Sequence, residues 1–591
     1  MAVDTIPGLF LHAVKTYDTP AAFQHKKDGR YVSVSHREVF DAVDKACLGL
    51  TALGLAKGDR IALLSENRLE WVIADQAILA GGCINVPIYP TLPGNQVEYI
   101  LRDSESRAVF VSGGEQRQKI EAIRSKLPGL QHVITFESSA GDGIITLDAL
   151  KEKGSQVTDA PPYDERIATI GKYDWASIIY TSGTTGEPKG AILNHWNFVS
   201  NVLSCGSSLE IGPGDACLSF LPLSHVFERT GGYYVMLYRG VSIAYAESID
   251  AVPQNLLEVS PTVMVSVPRL YEKMYGRILD AVSAGSVIKK SLFFWAVGVG
   301  KTYVRELLEK RLKKSTKVKY GLAYKLVFSK LKAKTGGKLR FFVSGGAPLA
   351  REIAEFFYAA GLPILEGYGL TETSPVITLN TFEHFKFGTV GKAIDGVDVR
   401  IADDGEILAR GPNIMLGYYK KPDLTDEIMD GGWFHTGDIG YLDDKGFLTI
   451  TDRKKDIIVT AGGKNIAPQP IENLFKTNKY IVQAVIVGNR RKFISALIVP
   501  NFDHLTTFAR AAGISYNEEA DLVNEPKVIE KIQSEIDAMS THLAGFEQVK
   551  KFVLLAKDFT IEADELTPTL KVKRRTIETK YKEQIDAIYA S

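Results

Sequence analysis

The sequence predicts an α/β chain: a large layered N-terminal domain, its sheets flanked by helices, and a smaller α+β C-terminal domain. Three observations predict it. The 591 residues exceed what one compact core holds, so two to four domains are expected. Helical and strand-like patterns alternate through residues 1–170 and resume at Leu339, as in layered α/β domains. Asp452-Arg-Lys-Lys-Asp456 places a charged stretch between two apolar runs, the composition of a domain linker.

Composition excludes several classes. Acidic and basic residues balance at 70 each, which argues against a nucleic-acid binder. Cys47, Cys83, Cys205 and Cys217 show no C-x-x-C spacing, so buried thiols in a reducing compartment are expected rather than disulfides or a zinc site. The N-terminus has no basic segment followed by an apolar one, so no signal peptide is expected. The longest apolar run, Leu292 to Gly300, is about half of the ~20 residues that cross a bilayer. A cytoplasmic protein follows, with membrane contact no more than peripheral.

In chain order, Arg60 to Leu64 reads as a strand after a Gly-Asp turn, and Leu69 to Ala80 has helical spacing until Gly81-Gly82 stops it. Cys83 to Tyr89 is a second strand, and this part carries no visible chemistry. The apolar, β-branched run Ala176 to Tyr180 is a buried strand. It delivers Thr181, Ser182, Gly183, Thr184, Thr185 and Gly186, with Lys189 close behind. Glycines let backbone N–H groups approach an anion, hydroxyls add short donors, and lysine adds a point charge: a phosphate loop. It is not a Walker A loop, because Pro188 precedes Lys189 and Gly190 follows it.

Farther on, His225 follows a strand-like run and precedes Gly231-Gly232; such a lone histidine is more often structural than chemical. Residues 276–338 read as a basic helical insertion. From Val287 to Lys338 there are fifteen Lys/Arg against two acids, with Phe293, Phe294, Trp295, Tyr303, Leu307, Leu308 and Leu312 at roughly helical spacing. Such a stretch suits either an anionic membrane surface or a solvated hairpin packed on the large domain. Gly298-Val-Gly300-Lys301-Thr302 imitates the end of a Walker A loop, but the required first glycine is Trp295 and the context is helical.

Leu339 to Val343 is a strand running into Ser344-Gly345-Gly346-Ala347-Pro348, and helical residues follow to Ala360. Then comes Glu366-Gly367-Tyr368-Gly369-Leu370-Thr371-Glu372. The glycines let backbone approach a flat ring, Tyr368 offers a stacking face, and Glu372 is a hard oxygen ligand suited to Mg2+. Residues 397–450 read as short strands, with Asp438 in an intervening turn. The strands Gln483–Gly488, Ile494–Val499 and Val549–Ala556 belong to the small unit, which ends in a basic run after Leu566-Thr-Pro-Thr-Leu-Lys571.

The stretch 180–190 resembles the phosphate loop of the AMP-forming adenylating enzymes. Nearly the whole chain is similar to that superfamily, and most of all to its long-chain fatty acyl-CoA synthetases. The resemblance implies an ATP-dependent ligase of two steps. A fatty carboxylate attacks the α-phosphate of ATP to give acyl-adenylate and pyrophosphate, and coenzyme A then takes the acyl group. It implies a large domain of residues 1–452 and a mobile lid of residues 453–591, hinged at 453–455 with Lys455 as pivot. Carried onto this chain, residues 181–186 and Lys189 bind phosphates. Gly346, Ala347 and the segment Glu366, Gly367, Tyr368, Gly369 hold adenine, while Thr371 contacts the α-phosphate. Thr184 and Glu372 hold Mg2+, and Asp438 and Arg453 take the ribose. His225 orients the acid or gates its access, and Gly462 and Gly463 line the coenzyme A tunnel. Lys571 is the catalytic lysine. Many members have Gly before that lysine where this chain has Leu570, which leaves Lys573 as the competing assignment. Two other readings stand beside this one. An acyl-AMP ligase that loads a carrier protein is disfavoured by the lack of a carrier domain after residue 591. A non-catalytic nucleotide- or lipid-binding relative is disfavoured by intact Lys189, Glu372, Asp438 and Lys571. The resemblance leaves acyl chain length and oligomeric state open.

Overall fold

The computed structural model describes residues 3–139, 141–181, 187–560, 563–567 and 572–590. The chain has the expected mixed α/β architecture. One sheet of nine strands runs in the order Lys392–Ala393, Val376–Leu379, Ile364–Gly369, Phe341–Ser344, Val263–Ser266, Ala216–Ser219, Ser242–Tyr245, Phe23–Lys27, Arg30–Val34. From Ile364–Gly369 to Phe23–Lys27 its neighbours are parallel, and the central strands Phe341–Ser344, Val263–Ser266, Ala216–Ser219 and Ser242–Tyr245 are almost wholly buried, as strands covered on both faces must be. A second sheet of eight strands is centred on Trp175–Thr181, Ile84–Ile88 and Arg60–Leu64. The first expected strand and helix fall on Arg60–Leu64 and Leu69–Ala80, where an apolar run and a Gly81-Gly82 stop are unambiguous. That helix is buried on every side, with Trp71, Val72 and Ala74 at 0% exposure. It belongs to one core cluster running from Ile6 to Phe434.

A five-stranded sheet follows: Asp398–Ile401, Glu406–Arg410, Trp433–Leu442 and Met429–Asp430, with Leu448–Arg453 beside Trp433–Leu442. Asp438 is therefore inside a strand, not in a turn. The small unit packs Ile481–Val487, Ser495–Pro500 and Lys551–Leu554 into a mixed sheet with its own core from Ile458 to Leu554.

The basic stretch is helical, but its start at 276 falls inside the helix Pro268–Ser283. The excursion proper is Val287–Leu308, Lys314–Ala323, a wide π-turn Tyr324–Phe328 and Ser329–Ala333. The stripe that packs on the body is Phe293, Ala296, Gly300 and Val304; of the bulky row read from spacing only Phe293 is buried, and Phe294 is 60% exposed. Gly300 is required there, since a Cβ would lie 2.8 Å from the Ala359 Cβ. The Walker-like Gly298–Thr302 sits within this helix, so it forms no phosphate loop. All four cysteines are buried and unbridged. Among the described residues no helix is long and apolar enough to cross a membrane.

Candidate functional site

Two antiparallel strands flank the stretch expected to bind phosphates, with Thr181 opposite Lys189 and Tyr180 opposite Gly190. Ser182, Gly183, Thr184, Thr185 and Gly186 lie outside the described residues, as does Lys571. Lys189 holds its Nζ 5.2 Å from the centre of the Tyr418 ring, and the Tyr418 hydroxyl donates to Glu372 Oε1 at 2.7 Å. Tyr418 thus joins the expected phosphate lysine to the expected metal carboxylate. Sequence reasoning missed it. Its only signal was an aromatic pair, Tyr418-Tyr419, after Gly417.

Parallel pairing sets Ser344 opposite Glu366, so Gly345-Gly346-Ala347 leaves its strand beside Glu366-Gly367-Tyr368. Gly346 has φ +80°, a conformation that side chains disfavour, and a Cβ on Gly369 would lie 1.8 Å from the Pro375 carbonyl. Burial pushes the Glu366 carboxyl up to about 8. The Tyr368 hydroxyl donates to Asp438 Oδ2 at 2.6 Å, and Arg453 Nε lies 3.3 Å from Asp438 Oδ1. Antiparallel pairing of Asp438 with Arg453 produces this contact, and Thr436 Oγ1 accepts from the Asp438 N–H. The adenine-segment tyrosine and both residues expected at the ribose therefore share one cluster. The segment from Tyr368 to Glu372 carries both bonds, to Asp438 and from Tyr418, so the two groups of residues adjoin along it.

His225 stands just before a helix whose turn Glu228–Tyr234 is a π-helix, a wide form concentrated at functional sites. The strand expected just before it ends earlier, at Ser219. His225 Nδ1 accepts from the Phe227 N–H at 3.1 Å, which leaves the ring proton on Nε2. This segment touches both other clusters. A Cβ on Gly345 would meet the Phe227 ring at 3.0 Å, and Thr230 Oγ1 donates to the Ser374 carbonyl, one turn after Thr371 and Glu372.

Beneath the site lies a buried polar network. Arg229, fully buried, bonds Asp75 Oδ1 at 2.5 Å, Ser177 Oγ at 2.8 Å and the Tyr234 hydroxyl at 2.8 Å. Ser177 belongs to the strand Trp175–Thr181, which leads into the expected phosphate loop, so Arg229 ties that strand to the helix after His225. Next to it Glu228 accepts from Ser219 Oγ at 2.6 Å, while its second oxygen has no partner. Burial raises the Glu228 carboxyl to about 8, so it keeps its proton at neutral pH. The folded value exceeds the unfolded one, so its contribution is fully present below about pH 4.5 and is lost as pH rises through about 8. Glu366 adds a second slope in the same window. Glu228→Gln is expected to reduce the stability lost between pH 5 and 8.5 by about half. Thermal melts across that range measure it; an unchanged slope means that Glu228 is already ionised.

At the expected hinge, Lys455 is exposed. Its neighbour Lys454, which the sequence did not single out, is held at both ends. Its N–H donates to the Gly437 carbonyl at 2.8 Å, and its Nζ meets Asp404 Oδ2 at 2.6 Å and Glu406 Oε2 at 2.9 Å. Asp452 accepts from the Gln469 N–H at 3.1 Å, across the hinge. The loop carrying Gly462 and Gly463 is pinned within the small unit, where the Ala461 N–H donates to the Arg491 carbonyl. Lys573 is engaged by Asp564 at 2.5 Å.

Among the described residues no group of three His, Cys, Asp or Glu could hold a metal. Glu372 offers one carboxylate, already oriented by Tyr418. A single carboxylate supplemented by substrate phosphate oxygens is the usual manner of Mg2+ binding, so the residues fit the ion.

Asp438→Ala removes the acceptor shared by Tyr368 and Arg453. A lost charge-assisted bond is worth about 1.5–3 kcal/mol, so KM for ATP is expected to rise roughly ten- to hundredfold. Pyrophosphate exchange at varied ATP reads this, and an unchanged KM takes Asp438 out of the nucleotide site.

The chain was compared with known families and structures. The family model described as AMP-binding enzyme matches residues 9–419, and that described as AMP-binding enzyme C-terminal domain matches residues 455–591. A long-chain-fatty-acid–CoA ligase, FadD15, of Mycobacterium bovis is 38% identical over 579 residues, covering 96% of this chain and 94% of that protein. The peroxisomal long chain acyl-CoA synthetase 7 of Arabidopsis thaliana is 32% identical, covering 100% of this chain and 87% of that protein. Among solved structures, the adenylation domain of a carboxylate reductase from Mycobacterium chelonae superposes with a TM-score of 0.78 at 20% identity, covering 99% of this chain and 91% of that one.

Proposed function

The chain belongs to the AMP-binding enzyme family, and from that membership we propose that it is a long-chain-fatty-acid–CoA ligase. It joins a fatty acid to coenzyme A in two steps at the expense of ATP. The observation that carries this reading is the meeting of Tyr368, Asp438 and Arg453 beside Glu372, Tyr418 and Lys189, in a chain 38% identical to such a ligase.

In the first step a carboxylate oxygen attacks the α-phosphorus of ATP and pyrophosphate leaves. Two anions meet, so the site must neutralise charge rather than supply a nucleophile. Lys189 and the donors of 181–186 meet the phosphates, Thr371 meets the α-phosphate, and Lys571 adds its charge to the reacting groups. Gly346, Ala347 and the segment 366–369 hold adenine. Asp438 takes the ribose hydroxyls, since a carboxylate can accept several hydrogen bonds at once. The Nε2–H of His225 orients the acid. Mg2+, held by Glu372 and Thr184, would supply charge neutralisation between phosphate oxygens.

In the second step the coenzyme A thiol attacks the adenylate carbonyl carbon and AMP leaves. The unit 453–591 swivels about Lys455, removes Lys571 and brings Gly462 and Gly463 to the pantetheine arm. Such an exchange keeps water off a reactive mixed anhydride. Engagement of Lys573 by Asp564 supports Lys571 as the catalytic lysine. A cytoplasmic location, with peripheral contact to anionic membrane through 287–338, completes the reading.

The test is ATP–pyrophosphate exchange with carboxylic acids from acetate to C20, then thioester formation with coenzyme A added. Exchange that peaks at long chains, with thioester formed, supports it. Exchange without thioester indicates carrier loading, and no exchange with any acid refutes the substrate class.

A further inference from the structure

Two charged groups of opposite sign meet one neutral side chain at the site. Lys189 Nζ lies 5.2 Å from the centre of the Tyr418 ring, and the Tyr418 hydroxyl donates to Glu372 Oε1 at 2.7 Å. All three residues are half-buried. A lysine and a carboxylate that share a neighbour in such a place would be expected to pair directly. Among the described residues no ion pair joins Lys189 to Glu372, and no other carboxylate pairs with Lys189. Burial, and after it the Glu372 carboxylate, pushes the Tyr418 hydroxyl far above the ordinary tyrosine value, so it keeps its proton and donates.

The segment around Tyr418 is fastened on both sides. Gly417–Tyr418 pairs antiparallel with Lys189–Asn194, with Tyr418 opposite Ala191, and the Tyr419 N–H donates to the Gly190 carbonyl at 2.8 Å. On the other side the Met415 N–H donates to the Glu372 carbonyl at 2.8 Å, and Asn413 Nδ2 donates to the Thr373 carbonyl at 2.9 Å. The Tyr418 N–H donates to Thr425 Oγ1 at 2.9 Å. Gly417 permits that approach: its φ is +149°, and a Cβ would lie 2.8 Å from Thr425 Cγ2. The next side chain, Tyr419, packs edge-on against Trp175 at 6.1 Å. Backbone bonds, not the two charged groups, therefore set where the Tyr418 ring stands.

We infer that Tyr418 is a positioning residue that keeps the phosphate lysine and the metal carboxylate from neutralising each other before nucleotide binds. Opposite charges in a half-buried place attract strongly, and a direct pair would occupy the lysine and the carboxylate at once. The ring gives the ammonium a weaker partner, a cation–π contact that phosphate oxygens readily replace. The hydroxyl gives the carboxylate a neutral donor, which orients it toward a metal ion without cancelling its charge. This inference rests on the reading of Lys189 and Glu372 as the phosphate and metal residues.

The test is binding of ATP to the full chain by calorimetry, with no acid substrate present, once in EDTA and once with Mn2+. Tyr418→Phe keeps the ring and loses the hydroxyl. Its dissociation constant in EDTA is expected to stay within about twofold of the parent, while that with Mn2+ rises about tenfold. Tyr418→Leu loses both partners, and its constant in EDTA is expected to rise about fivefold or more. Glu372→Gln removes the rival partner of Lys189. It is expected to tighten binding in EDTA by a larger factor in the Tyr418→Leu background than in the parent, a coupling that a merely structural tyrosine would not produce. Equal factors in the two backgrounds overturn the proposal, as does a loss of EDTA binding in Tyr418→Phe equal to that in Tyr418→Leu. Should Tyr418→Leu fail to fold, Tyr418→Phe decides alone: a Mn2+ constant within about twofold of the parent overturns the proposal. Failure of the parent to bind ATP refutes the ligase reading itself, whereas parent binding that no tyrosine variant changes refutes only the role of Tyr418.

Discussion

Lys571→Ala is expected to lower ATP–pyrophosphate exchange by about a hundredfold or more, while thioester formation from supplied acyl-adenylate and coenzyme A stays within about twofold of the parent. The first step brings a carboxylate against a polyphosphate, and a lysine placed there stabilises charge that accumulates only in the transition state. The second step has a neutral thioester-forming carbonyl and a leaving AMP, and in the proposed swivel Lys571 has left the site. Lys573→Ala is the control. Lys573 is engaged by Asp564, so its loss is expected to leave exchange within a few-fold of the parent. Equal slowing of both half-reactions by Lys571→Ala would remove the two-arrangement reading.

Arg229→Met is expected to destabilise the chain by about 3–5 kcal/mol. Arg229 and Asp75 are both at 0% exposure, so the variant leaves the Asp75 carboxylate buried without its cation. Asn85 Nδ2 and the Tyr234 hydroxyl still donate to Asp75, which limits the loss. The first thermal transition is expected to drop by roughly 3–5 °C. Asp75→Asn combined with Arg229→Met removes both charges and is expected to recover more than half of it, because the isolated charge carries the cost. A shift of the single variant below about 2 °C would mean that water reaches the pair. Because Arg229 also holds Ser177, the single variant is further expected to raise KM for ATP; chemistry at the phosphate loop thereby senses a residue that touches no substrate.

Much of the large domain was legible because its signals are local. The apolar run Arg60–Leu64 and the helical spacing Leu69–Ala80 each report their own element, and a glycine pair marks the stop. Motifs with a fixed chemical job, such as Glu366–Glu372, were legible through resemblance. What escaped depends on partners far along the chain. Tyr418 meets Glu372 across 46 positions, Lys454 meets Glu406 across 48, and Arg229 meets Asp75 across 154. Periodicity tells which face a residue occupies, never whom it meets there. Asp438 was misread for a different reason. The strand Trp433–Leu442 does alternate buried and accessible, but its buried positions are Phe434, Thr436, Asp438 and Gly440. Three of the four are small or polar, so the period of two never appears as hydrophobicity. In the basic hairpin, the small Ala296 and Gly300 complete a packing stripe with Phe293 and Val304, while Phe294 and Leu307 are exposed.

The bond from Gln469 to Asp452 has a thermodynamic consequence. Asp452 ends a strand on the large side of the pivot, and Gln469 opens a helix on the small side. The proposed swivel about Lys455 would carry one partner away and leave the other. Each excursion therefore breaks a carboxylate–amide bond worth about 1.5–3 kcal/mol. Unless new contacts replace it, the second arrangement is populated about ten- to hundredfold less than the first. A ligand can reverse that ratio only by binding the second arrangement correspondingly better. Under the proposed swivel the resting chain waits in one arrangement, and part of the binding energy of the adenylate or the thiol is spent on releasing it.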